Sequence, residues 1–131
     1  MKKYPIFFRV MALVLLINQS SCVADAASGP SAATAAYLNA LAQKNKTKVI
    51  SLSCKSFEEQ AALEVDALLS VGASIRDLTC DVIGEEGDYQ QVKCSGSMDL
   101  TYNDEVRAID LNSRIYTMAF EDGQWRVCSY K

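Results

Sequence analysis

Apolar positions recur at two different spacings along this chain, and the change falls near Gly72. Before it they return every three or four residues, as on one face of an α-helix. In "SAATAAYLNALAQKN" (31–45), Ala33, Tyr37 and Leu41 share such a face, Pro30 suits the first turn, and Asn45 sits near the end. "TKVISLSC" (47–54) reads as one or two further helical turns carrying Cys54. Ser56 and Glu59 have the S-x-x-E spacing of a capping box. The helix they would open, "FEEQAALEVDALLSV" (57–71), aligns Phe57, Ala61, Val65, Leu68 and Leu69, with Gly72 at its end.

After Gly72 the period becomes two, the signature of strands. Four segments alternate: "IRDLTCDVI", "YQQVKCSGSMDLTY", "VRAIDLNSRIYTMAF" and "QWRVCSY", separated by "GEEGD", "ND" and "DG". Helices first and strands afterwards make an α+β fold, with N-terminal helices packed on a curved four-stranded antiparallel meander. If Asn103-Asp104 is a two-residue hairpin turn, Tyr102 faces Glu105, Met98 faces Ile109, Gly96 faces Leu111 and Val92 faces Ile115. Asp122-Gly123 sets Thr117 opposite Cys128, and the turn around Gly87 sets Cys80 opposite Cys94 and Val82 opposite Val92. This register gathers Leu78, Cys80, Val82, Val92, Cys94, Met98, Leu100, Tyr102, Ile109, Leu111, Ile115 and Cys128 on the face that the helices would cover. The other face is mostly polar. Its exception is an apolar group at one end, Tyr116, Met118, Phe120, Trp125 and Val127, a candidate partner surface for a homodimer formed through the sheet.

The first 22 residues follow a different logic. Lys2 and Lys3 precede an apolar run from Ile6 to Ile17, which Arg9 interrupts and which is shorter than the ~20 residues a bilayer-spanning helix needs. Such a segment reads as a secretory signal. Two cleavage sites fit. "QSSC" resembles a bacterial lipoprotein box with Cys22 as the lipidated residue, although Gln19 stands where that pattern prefers Leu. Ala24-Asp25-Ala26 is an A-x-A site that would release a soluble protein. The organisation is therefore a signal peptide at 1–22 (or a cut after Ala26), a small-residue tether at 23–30 and a domain at 31–131. The expected place is outside the cytoplasm, as a membrane lipoprotein or as a soluble secreted or periplasmic protein.

Export gives the cysteines a meaning. Beyond Cys22 there are four, Cys54, Cys80, Cys94 and Cys128, and an even set in a small exported domain reads as disulfides. Half-cystine Cα atoms lie within ~7 Å, whereas neighbouring strands are ~4.8 Å apart. In the meander Cys94 and Cys128 are two strands apart, and Cys80 and Cys128 three. Of the three pairings, only Cys80–Cys94 with Cys54–Cys128 remains. The two loops would contribute ~3 and ~4.5 kcal/mol on a chain-entropy model.

Charge excludes one class of partner. Removing the leader takes away Lys2, Lys3 and Arg9, three of the 13 basic residues, and none of the 16 acidic ones before Asp25, so the balance moves from −3 to −6. No basic cluster remains for nucleic acid. Neither a C-x-x-C pair nor the D-x-D-x-D-G spacing of a calcium loop is present, and no metal or other cofactor is implied.

Helices followed by a meander ending in Asp122-Gly123-Gln124-Trp125-Arg126-Val127 resemble the nuclear transport factor-like, or cystatin-like, superfamily of cone-shaped domains. "AYLNALAQKN" looks like that family's first helix, and "SLSC…LTCDV…VKCSG…WRVC" is similar to bacterial exported lipoproteins of this fold and unknown function. The resemblance covers about residues 31–130. It implies a fold rather than an activity, since the superfamily holds isomerases, dehydratases, cyclases, binding modules and structural domains.

Histidine is absent from the chain, which removes the Ser-His-Asp and Cys-His arrangements and the His-Asp pair of the superfamily's dehydratases. The isomerases of the fold use Tyr with an inward Asp. Tyr37 and Tyr102 could supply the first, but the register points Asp99 and Asp110 outward, and Asp110 is expected to pair with Arg114 or Lys93. No catalytic residue is assigned. The expectation is a lipid-anchored binding or structural module of the cell envelope, held to the membrane through Cys22. The alternatives are a small cavity enzyme, or an accessory or inhibitor module acting through the sheet face. A cavity with a buried carboxylate near Tyr37 would favour the enzyme, and one filled by Leu and Ile would favour binding. Mass mapping of non-reduced peptides should join Cys80 to Cys94 and Cys54 to Cys128. A Cys94–Cys128 peptide would contradict the meander order.

Overall fold

The computed structural model describes residues 29–131. The signal segment, its cleavage sites, Cys22 and most of the tether lie outside the described residues. Three helices come first: α1 (Pro30–Ala42), α2 (Lys46–Ser51) and α3 (Glu58–Leu68). Five strands follow: β1 (Gly72–Glu86), β2 (Tyr89–Tyr102), β3 (Glu105–Asp110), β4 (Ile115–Glu121) and β5 (Gln124–Tyr130). They form one antiparallel sheet in the order β1-β2-β4-β5, with β3 also on β2, beyond the end of β4. Among the described residues no helix is long and apolar enough to cross a membrane.

Local chemistry explains the helix ends. Pro30 opens α1, and the Asn45 side chain accepts the Lys48 amide at the start of α2. The Ser56–Glu59 capping box does not form. A 3₁₀ turn at Lys55–Phe57 occupies its place, with the Phe57 amide on the Cys54 carbonyl. Gly72 is not a helix cap either: α3 stops at Leu68, and Gly72 is the first residue of β1. The stripe of α3 is buried at Phe57, Ala61 and Val65, half-buried at Leu68, and open at Leu69.

The sheet has five strands rather than four because "VRAIDLNSRIYTMAF" is broken. Asp110 accepts the Asn112 amide, Ser113 donates to the Asp110 carbonyl, and Leu111–Ser113 becomes a 3₁₀ turn. These are short side chains outcompeting the ladder for backbone groups. Before the turn the register is Met98 to Ile109 and Tyr102 to Glu105. After it Val92 faces Tyr116, not Ile115, and Gly96 has no partner in Leu111. A one-residue slip turns every side chain of a strand over. Tyr116 and Met118 therefore point into the core, each at most 1% exposed, and Ile115 lies on the opposite face. A second irregularity, in β5, pairs Thr117 with Ser129 and Met118 with Val127. Cys128 is the extra residue of that bulge, so Val127 is fully buried while Cys128 still reaches the helical layer. Of the intended core face, Val82, Ile109 and Tyr102 are exposed.

Cys54 is bonded to Cys128 across 74 positions, and Cys80 to Cys94 within the β1–β2 hairpin. The first is reinforced by backbone bonds, Cys54 amide to Val127 carbonyl at 2.7 Å and Val127 amide to Leu52 carbonyl at 2.8 Å. Opposite the bulge at Asp77, Gly96 has a φ of +103°, and a Cβ there would sit 2.5 Å from the Arg76 carbonyl oxygen. Gly96→Ala should cost about 1–3 kcal/mol in urea unfolding with both disulfides intact. A change within a few tenths would mean that the bulge is not held in this form.

Candidate functional site

α1 crosses the sheet with Tyr37 at its centre. The Tyr37 ring, fully buried, lies 6.5 Å from Phe57 and 6.4 Å from Tyr116, and Tyr130 is 6.0 Å from Phe57 and 5.8 Å from Tyr116. Four aromatic rings thus close one wall of the core. The Tyr37 hydroxyl crosses this wall and donates to Glu64 Oε2 at 3.1 Å. Glu64 reaches it because it follows Ala61 by three residues in α3 and borders the buried stripe. Its other oxygen, Oε1, is buried and has no hydrogen bond of good geometry, although the Tyr130 hydroxyl lies close enough to interact with the carboxylate.

Beside Glu64 opens a cavity of about 180 Å³. Leu38, Leu41, Leu68, Met98 and Leu111 give it an apolar lining, and Glu64, Arg114 and Tyr116 give it a polar side. Arg114, just after the 3₁₀ turn, stacks its guanidinium 4.0 Å from the centre of the Tyr130 ring. Among the described residues it forms no ion pair with Glu64. A carboxylate and a guanidinium therefore share one small pocket without neutralising each other by contact.

The environment holds the phenols in their neutral form. Burial pushes Tyr37 far above the ordinary tyrosine value, and the charge and hydrogen bond of Glu64 push in the same direction. Tyr116 is raised by burial, against an opposing pull from Arg114. Tyr130 is raised by burial and then by the nearby Glu64 carboxylate. Burial works against the charge of Arg114, yet Tyr116, Tyr130 and Glu64 around it leave its pKa raised. Tyr37 is thus a hydrogen-bond donor at all ordinary pH values, and Arg114 a permanent cation.

The other expected residues fall elsewhere. Tyr102 is exposed at the end of β2, so Tyr37 and Tyr102 do not meet. Asp99 is tied to Arg76 on β1, with Arg76 Nη2 donating at 2.9 Å, and this hydrogen bond lowers its pKa. Asp110 borders the cavity but caps the 3₁₀ turn, and it pairs with neither Arg114 nor Lys93. The outward apolar group does not exist as a unit. Tyr116, Met118 and Val127 are core residues, leaving Phe120 exposed with Trp125, half-buried, against its edge. Cys54, Cys128 and Glu121 lie close together, but both sulfurs are bonded to each other, so no thiolate is available to a metal. Sequence reasoning missed Glu64 and Arg114. Glu64 had a signal, its place between Ala61 and Leu68 on the apolar stripe. Arg114 had none, because its direction depends on the slipped register.

No family model matches this sequence, and no curated protein matches it at a significant level. Solved structures are similar in fold. A SEC-C-motif-containing protein from Rhodopseudomonas palustris gives a TM-score of 0.53 at 10% identity, over 79% of this chain and 80% of that one. An NTF2-like protein with a cystatin-like fold from Novosphingobium aromaticivorans gives 0.51 at 15% identity, over 75% and 74%. The helical cell shape determining protein Pgp2 of Campylobacter jejuni gives 0.51 at 9% identity, over 76% of this chain and 38% of that chain. The chain therefore has the cystatin-like fold of NTF2-like proteins. A fold at these identities assigns no activity.

Raised phenol pKa values favour the folded state below pH ~10, where unfolded tyrosine is still protonated, and this advantage is lost as pH rises further. Stability should therefore decline above pH ~10, and Tyr37→Phe should weaken that decline. At neutral pH the same change should cost about 1.5–3 kcal/mol, because Glu64 loses its donor. An unaltered alkaline limb in Tyr37→Phe would show that the phenol is not buried beside Glu64 as described.

Proposed function

We propose that this chain is an exported protein of the cell envelope, anchored through a lipid on Cys22, whose cavity binds a small ligand. Compartment and anchor are supported by the basic and apolar start, by Cys22 directly after it, and by two disulfides in one small domain. The observation that carries the binding reading is the mixed lining of the pocket, apolar at Leu38, Leu41, Leu68, Met98 and Leu111 and polar at Arg114 and at Glu64, whose Oε1 is buried without a formed hydrogen bond. An unpaired buried acceptor costs about 1–3 kcal/mol, and a ligand that donates to it recovers this. Arg114 would take an acceptor of the same ligand. The pocket is smaller than the ~300–1,000 Å³ typical of drug-sized ligands, so the ligand is a compact molecule with an apolar body and one polar end.

A second reading, a cavity enzyme, draws on the same carboxylate. Glu64 near Tyr37 is the arrangement that favours acid–base chemistry on a bound carbon acid. The two readings separate in one experiment. Protein isolated from its native envelope, analysed intact and by native mass spectrometry, should carry a diacylglyceryl modification on Cys22 and retain a small molecule. Glu64→Gln and Arg114→Ala should each reduce that retention tenfold or more, ~1.4 kcal/mol. Deuterium entering the released molecule from heavy water would decide for the enzyme. Equal retention by both variants would contradict the cavity reading.

A further inference from the structure

One exposed feature is not used by the cavity. Phe120 and Trp125 face each other across the tip of the β4–β5 hairpin, ring centres 5.6 Å apart, with Phe120 60% exposed. They lie on the same face of the sheet as Met118 and Val127, where Trp125 packs in part on the core and Phe120 is left open. The course of α1 shows which end this is. Leu38 and Leu41, late in α1, line the cavity with Leu111; Tyr37 meets Tyr116; and Thr34 Oγ1 lies 3.2 Å from Met118 Sδ. α1 thus runs opposite to β4, and its first residue, Pro30, whose carbonyl accepts the Thr34 hydroxyl at 2.8 Å, lies at the Phe120 end. From there eight residues lead back to Cys22, a reach of at most ~28 Å.

We propose that Phe120 and Trp125 form a membrane-contact edge that rests in the headgroup region of the bilayer holding the Cys22 lipid. This rests on the lipid-anchor reading. Aromatic side chains at a protein edge are suited to that layer, being apolar in body and cheap to order. The charges around the tip select the kind of surface. Lys55 pairs with Glu58, Arg126 with Asp122, and Glu121 accepts from the Lys55 amide. There is no positive excess to seek anionic lipid, so the fitting partner is an electrically neutral phospholipid surface. An anchor at the same end would also hold the hairpin at high effective concentration near the bilayer, so a weak contact suffices.

Trp125 is the only tryptophan in the chain and reports its own surroundings. The full-length lipidated protein, its lipid verified by intact mass, would be placed in phosphatidylcholine vesicles with and without acyl chains brominated close to the headgroup. Trp125 emission should shift to the blue on vesicle insertion and lose most of its intensity to the brominated lipid, while acrylamide quenching falls. Phe120→Ser, at an exposed position that the core tolerates, should reverse much of each effect. A lipidated protein whose Trp125 stays open to acrylamide and blind to brominated lipid overturns the contact but leaves the anchor standing. Shielding from both quenchers in a dimer that Phe120→Ser dissociates overturns it in favour of a second copy. A mature mass without lipid removes the anchor reading and this inference together.

Discussion

The clasp between the segment after α2 and the last strand holds the rest of this structure in place. β5 is an edge strand of the sheet, paired in the ladder with β4. Here Val127 is bonded on its free side to Leu52 and Cys54, and the neighbouring Cys128 is bonded to Cys54. The terminal strand is thereby shared between the sheet and the helical layer. Its side chains then become core: Val127 is fully buried, and Tyr130 packs on Phe57 and Tyr116. Without the clasp, the aromatic wall around Tyr37 would lose one of its four rings, and Arg114 would lose the ring it stacks on. The second disulfide, inside a hairpin already paired on both sides of it, constrains far less of the chain.

The polar end of the cavity depends on that wall. Glu64 and Arg114 are brought close to a mostly apolar pocket from elements distant in sequence, α3 and the start of β4. Tyr37 fixes one oxygen of Glu64 and leaves the other without a hydrogen bond of good geometry. An internal polar group of this kind is a standing cost in the folded protein, and such groups concentrate where a ligand or a reaction uses them. The aromatic rings keep both charges in fixed positions, so a ligand would meet a preorganised donor and acceptor rather than mobile side chains.

How much of this was legible in the sequence follows from where the periodicity is honest. The change from period 3.6 to period 2 at Gly72 gave the layers, and the Asn103-Asp104 turn gave the β2–β3 register residue for residue. Cys80 opposite Cys94 followed from the hairpin around Gly87. The failure began at Asp110. Alternation of Ile109, Leu111 and Ile115 continues smoothly across the 3₁₀ turn, so the apolar pattern conceals it. Asp110, Asn112 and Ser113, three turn-forming residues in four, were the contrary signal. Missing that turn slipped β4 by one residue, placed Tyr116 and Met118 on the wrong face, and hid Arg114. The β5 bulge compounded the error, since strict alternation cannot point Val127 and Cys128 to the same side. Both mistakes are local breaks in a ladder, which side-chain pattern reports only weakly.

The last strand is integral to the core because it is clasped to the segment after α2. Native-state hydrogen exchange of the oxidised protein tests it at single amides. Cys54 and Val127 should exchange as slowly as the buried centre of β2 around Val92, and both should lose protection together when the disulfides are reduced. Val127 exchanging at the rate of a frayed terminus while Val92 remains protected would contradict it.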